Sequence, residues 1–147
     1  MKILLPVDGS ECSLKTLEWA ARTFNPKQTE YYLLKVISIT PDMIQVEYDV
    51  TDATKALNIA KQQLEDAGCK VAQIAYIFGD IVDRISDYAD EIRADQIVIG
   101  SHGRTGLSKL LMGSVSIALM ERSRYPVTVY RNVEKSPVSK TVASLQK

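Results

Sequence analysis

QIVIGSHGRTGLSKLLMGS, residues 96–114, joins the apolar run Gln96–Ile99 to a loop that holds four of the chain's seven glycines. Glycine in mid-chain costs conformational entropy on folding, so a cluster marks tight turns or backbone that must come close to something. Gly100, Gly103 and Gly106 recur every three residues, Gly113 follows seven later with Ser114 behind it, and Arg104 and Lys109 lie between. That pattern predicts an anion seated on the loop.

Outward from this stretch, buried-strand runs alternate with helical periods. Lys2–Val7 reads as β1. Leu14, Leu17, Ala21 and Phe24 then recur at helical spacing, giving α1. Tyr31–Ile39 is β-branched and aromatic and reads as β2, whereas residues 40–50 show no period and read as a loop. Asp52 is the expected cap of α2, whose face is Ala53, Ala56, Leu57, Ala60, Leu64 and Ala67, with Gly68 as its left-handed stop. Val71–Phe78 is β3, Gly79-Asp80 opens α3 over Ile81–Ile92, and Gln96–Ile99 is β4. Ser114 is the expected cap of α4, which Pro126 ends before β5, Val127–Tyr130.

Continuous apolar strands alternating with helices imply a parallel sheet covered on both faces. Right-handed crossovers then predict a doubly wound α/β sandwich with a five-stranded parallel sheet in the order 3-2-1-4-5. The order reverses between β1 and β4, and ligands bind outside the carboxyl ends of the strands at such a reversal. Those ends carry Val7-Asp8-Gly9-Ser10 and Gly100-Ser-His-Gly103. The glycine loop thus stands where the topology makes a crevice.

Composition narrows the partners. The chain has 147 residues, the length of one ordinary domain, and 46% of them are hydrophobic. Eighteen Lys and Arg balance eighteen Asp and Glu, so no net positive field draws a polyanion, and nucleic acid is not expected as a partner. Cys12 and Cys69 are isolated and form no CxxC pair, so they read as free thiols. No run approaches the roughly 18 apolar residues of a membrane span, and the expectation is a cytoplasmic protein with no membrane partner. Both common phosphate motifs are absent, because no glycine precedes a lysine and no two are separated by one residue. What remains is a phosphate chain met by loop amides and by the N-terminus of the helix starting near Ser114, with Gly113 admitting close approach.

The spacing Gly100-x2-Gly103-x9-Gly113-Ser114, together with the opening LLPVDGSECS, resembles the ATP-binding branch of the universal stress protein family over residues 1–132. The resemblance implies an adenine nucleotide α-hydrolase-like fold; residues 133–147 fall outside it and, rich in basic residues and hydroxyls with little apolar content, read as a flexible tail. It implies that Pro6, Val7, Asp8 and Val36 line the adenine and ribose end of a nucleotide site. It also implies that Gly100, Ser101, His102, Gly103, Arg104, Gly113, Ser114, Val115 and Ser116 surround ribose and phosphates. By the same resemblance the ligand is ATP or AMP with a divalent cation, Mg or Mn. The protein would be a homodimer through Val127–Tyr130, serving stress tolerance.

Each residue also has a plainer reading. Asp8 is either a helix-capping turn residue or a ligand contact, and its place at the reversal favours the contact. His102, the single histidine, reads as a loop residue near ribose or phosphate rather than a general base. Arg104 and Lys109 are divided between solvated charges and anion contacts. Trp19 and Phe24 read as core packing, and Met112 as either core or site wall. Two function classes follow: a nucleotide-binding signalling or protective module with little or no turnover, or a slow ATPase or autophosphorylating phosphotransferase. The absence of a Walker-type acidic strand end or kinase loop favours the first.

Overall fold

Ile3, Leu4 and Leu5 are all buried, so both faces of β1 (Lys2–Pro6) are covered, as only a central strand of a two-sided sheet can be. The structure is a computed structural model describing residues 1–39, 46–102 and 112–132, with backbone alone over 46–49. After β1 come α1 (Glu11–Thr23), β2 (Glu30–Ile37), α2 (Val46–Asp66), β3 (Lys70–Phe78), α3 (Ile81–Ile92), β4 (Gln96–Gly100), α4 (Ser114–Arg122) and β5 (Val127–Tyr130). The strands pair in parallel in the order β3-β2-β1-β4-β5, as expected.

Side chains alternate across the sheet, and the alternation sorts them into two cores. Ile3, Leu5, Tyr31, Leu33 and Val98 meet Leu17 and Ala20 of α1 and Leu57, Ala60 and Leu64 of α2. Leu4, Leu34, Val36, Ile97 and Ile99 face the other way, onto Ile85, Tyr88 and Ala89 of α3 and Leu119 of α4. Trp19 and Phe24 are half-buried against the first core, ring centroids 5.8 Å apart, and Trp19 also meets Tyr130 at the end of β5. Core packing accounts for both. Cys12 and Cys69 are free and buried.

β1, β3 and β4 differ from expectation by one residue each, and α2, α4 and β2 differ in ways that have a physical reason. α2 begins at Val46, so Asp52 lies inside the helix and residues 46–50 are helical rather than loop. Val50 is half-buried and Thr51 exposed, and a helix once nucleated by its packed part, from Ala53 onward, lengthens at little cost per residue. The cap of α4 is Gly113, with Ser114 as the first helical residue, because Gly113 has the extended ψ of 152° and the Ile117 amide bonds its carbonyl. β2 runs from Glu30 and stops at Ile37, beyond which Ser38 and Ile39 are exposed. Gly68 does close α2 with a φ of 80°, and the Cys69 amide reaches back to the Leu64 carbonyl at 3.0 Å. The expectations for residues 40–45, for Gly103, Arg104, Gly106 and Lys109, and for the 133–147 tail lie outside the described residues. Among the described residues, no helix is long and apolar enough to cross a membrane.

Candidate functional site

β1 and β4 pair only at Ile3–Gln96 and Leu4–Ile97. Past that point they part. The Val7 amide donates to the Leu34 carbonyl of β2 at 2.8 Å, while the Ser101 amide donates to the Tyr130 carbonyl of β5, also at 2.8 Å. One strand end is drawn to each side, and the gap between them is a cavity of about 320 Å³. Its volume falls in the range of small-molecule sites, and its place is the reversal point of the sheet.

The base of the cavity is Pro6, Val7, Ile99 and Gly100. Leu34, Val36, Ile81, Ile85 and Val115 make an apolar side, and Asp8, Ser13, Lys35, His102 and Ser114 bring polar groups. The N-terminus of α4 lies on the wall, since Gly113, Ser114, Val115 and Ser116 all line it. The first amides of a helix have no intrahelical acceptor, and the helix dipole makes that end electropositive. An apolar lining with a helix N-terminus on its wall suits a ligand with a flat apolar part and an anionic part.

The turn after β1 is built by short polar residues. Gly9 takes a φ of 78°, and the Asp8 carboxylate accepts from the Ser10 amide at 2.9 Å. Ser10, not Asp8, then caps α1 by accepting from the Ser13 amide at 3.1 Å. Asp8 therefore holds the turn with Oδ1 without capping α1, and it also lines the cavity.

The loop glycines serve packing as well. A Cβ on Gly113 would stand 3.1 Å from the Ser101 carbonyl oxygen. Gly100 leaves room for α1 in the same way. Ser101 is buried and absent from the cavity wall; its hydroxyl lies 3.1 Å from Nδ1 of His102, which does line the cavity. Met112 is half-buried and does not line it. Pro6, Val7, Asp8, Val36, Gly100, His102, Gly113, Ser114, Val115 and Ser116 thus come together, Ser101 sits behind the wall, and Gly103 and Arg104 fall outside the described residues.

Sequence reasoning missed Ser13, Leu34, Lys35, Ile81, Ile85 and Ile99. Lys35 carried a signal, a charge inside the strand run YYLLKVISI. Ile81 and Ile85 carried none, because the same apolar stripe of α3 also packs the second core. Among the described residues, no three His, Cys, Asp or Glu side chains gather as a metal site.

A doubly wound parallel sheet with an apolar cavity and a helix N-terminus at its reversal point defines a class of α/β fold in which that crevice is the usual place for a ligand. The chain belongs to the universal stress protein family, whose profile matches residues 1–131. Among its relatives, universal stress protein MJ0577 of Methanocaldococcus jannaschii is 35% identical, over 88% of this chain and 94% of that one. MJ0531 of the same organism is 28% identical, over 91% and 84%. The solved structure of MJ0577 superposes with a TM-score of 0.77 at 30% identity, covering 91% of this chain and 97% of that one. The universal stress protein of Archaeoglobus fulgidus, solved in complex with dAMP, shares the fold with a TM-score of 0.68 at 24% identity, over 88% and 96%.

Proposed function

We propose that this protein binds an adenine nucleotide, ATP or AMP, in the cavity between β1 and β4. It acts in the cytoplasm as a nucleotide-dependent stress-response module with little or no turnover. The observation that carries the reading is the pairing of an apolar slot (Leu34, Val36, Ile81, Ile85) with the α4 N-terminus at Gly113–Ser116 on one wall. A purine fits the first and phosphates the second. The family and the dAMP held by a relative of the same fold support the choice of adenine. The side-chain oxygens on the described wall are those of Asp8, Ser13, Ser114 and Ser116, with a single carboxylate among them, so a divalent Mg or Mn would enter on the phosphate oxygens.

Low turnover follows from how the candidate acid and base are used. The Asp8 carboxylate accepts from the Ser10 amide, and the His102 ring stands against the Ser101 hydroxyl. Phosphoryl transfer needs a group aimed in line at the γ-phosphate, and both of these side chains already hold a contact within the protein.

The module is a homodimer through β5, where α4 adds the exposed Ile117 and Met120 beside the open edge of the sheet. Calorimetry with ATP, AMP and adenosine, and mass spectrometry of the protein as purified, test the binding reading. Micromolar binding of at least one nucleotide is expected. No binding of any of them would overturn it.

A further inference from the structure

The first turn of α4 is fastened to the end of β4 at two points. The Ser116 hydroxyl donates to the Gly100 carbonyl at 2.7 Å, and the Gly113 amide donates to the Ser101 carbonyl at 2.5 Å. These bonds flank Ser114 and Val115, and all four residues from Gly113 to Ser116 border the cavity. The strand side of the fastening is itself held, because the Ser101 amide bonds the Tyr130 carbonyl of β5. Ser116 is only 2% exposed, so its hydroxyl is committed inward.

We propose that Ser116 is a positioning residue, one that aims the α4 amides at the anionic end of the ligand through Gly100 rather than by touching phosphate. The inference rests on the nucleotide reading above and deepens it. A helix terminus binds an anion only while its amides converge on one point, and a shift of an ångström spoils that convergence. Removing the Ser116 hydroxyl leaves the carbonyl of the half-buried Gly100 without that donor and leaves the turn fastened at Gly113 alone. Most of the apolar slot, Leu34 and Val36 of β2 with Ile81 and Ile85 of α3, lies off the helix that this bond fastens, and only Val115 rides on it. Phosphate-bearing ligands and the bare nucleoside should therefore respond differently, and a residue that merely stabilised the fold would move both alike.

Calorimetry with ATP, AMP and adenosine on the parent, Ser116→Ala and Ser116→Thr, beside thermal melts, tests this. Ser116→Ala should weaken AMP and ATP about tenfold and adenosine by less than about twofold, while Ser116→Thr, which keeps the hydroxyl, stays near the parent. Gly113→Ala, whose Cβ would press on the Ser101 carbonyl at 3.1 Å, disturbs the same fastening from its other end. It should show the same selectivity, and it carries the comparison if Ser116→Ala folds poorly. Unchanged AMP affinity in a folded Ser116→Ala protein, or equal losses for AMP and adenosine in both variants, would overturn the positioning role alone. A parent that binds neither AMP nor ATP would overturn the nucleotide reading, and this proposal with it.

Discussion

Gly100 and Cys12 meet with no room for a side chain between them: a Cβ on Gly100 would stand 2.8 Å from the Cys12 sulfur and 3.0 Å from the Thr16 hydroxyl. The Thr16 hydroxyl is itself tied to the Cys12 carbonyl at 2.7 Å, so neither α1 residue swings away cheaply. The glycine at the end of β4 is thus required by the helix behind it as well as by the cavity in front.

Gly100→Ala should therefore destabilise the protein by about 1–3 kcal/mol, the usual cost of overpacking. Adding Cys12→Ala should recover part of that loss, because it removes the nearer obstacle, and thermal melts of the four proteins of the cycle measure the coupling. Equal stability of Gly100→Ala and the parent would mean that α1 does not seat this closely.

Two buried tyrosines should respond in opposite ways to loss of their hydroxyls. Tyr31 donates to the Ala20 carbonyl at 3.0 Å, whereas the Tyr88 hydroxyl has no hydrogen-bond partner among the described residues. Tyr31→Phe should cost about 1 kcal/mol, and Tyr88→Phe should be neutral or stabilising. Burial pushes both phenols up, Tyr88 to about 12, where the nearby Glu91 and Tyr32 add to the rise. Folding then favours the protonated form. That stabilisation is fully present below the ordinary tyrosine value of about 10 and is lost as pH climbs toward the folded values. The drop in melting temperature between pH 8 and pH 11 should be smaller in Tyr88→Phe than in the parent; an equal drop would assign the alkaline sensitivity elsewhere.

The sheet was legible in the sequence because a parallel strand buried on both faces must be apolar throughout, as Ile3–Leu5 and Ile97–Ile99 are. Helix starts were less so. Gly113 and Ser114 are both residue types that cap, and only the backbone angles choose between them. The cavity residues brought by the glycine pattern and the opening strand, such as Asp8 and Ser114, could be named in advance. Ile81 and Ile85 could not, because one apolar residue type serves both a core and a ligand wall.

The open edge of β5 supports a test of assembly that leaves the sheet intact. The carbonyls of Pro126 and Tyr130 accept from Ile97 and Ser101 of β4, so by strand alternation Val127 and Val129 turn their backbone groups outward. Val129→Pro removes a donor from the free edge and none from the β4 ladder. It should shift a dimeric parent toward monomer with little loss of stability, as read by light scattering at tens of micromolar. A parent that is monomeric at that concentration removes the β5 dimer.

The last test separates the two ends of the cavity. Asp8 follows β1, Ser114 starts α4, and both line the cavity; on the proposed reading a nucleotide meets Asp8 with its nucleoside and Ser114 with its phosphates. Asp8→Asn keeps an acceptor for the Ser10 amide, and with it the turn, while removing the charge. It should melt near the parent yet weaken ATP, AMP and adenosine alike, by roughly tenfold or more, the loss expected of a charge-assisted hydrogen bond worth about 1.5–3 kcal/mol. Ser114→Ala removes a neutral hydroxyl and should weaken ATP and AMP by about fivefold, at about 1 kcal/mol, leaving adenosine unchanged. Calorimetry with the three ligands on both variants reads the pattern directly. If Asp8→Asn spared adenosine and Ser114→Ala weakened it, the nucleotide would lie the other way round in the cavity, and the assignment of phosphates to the α4 N-terminus would fall.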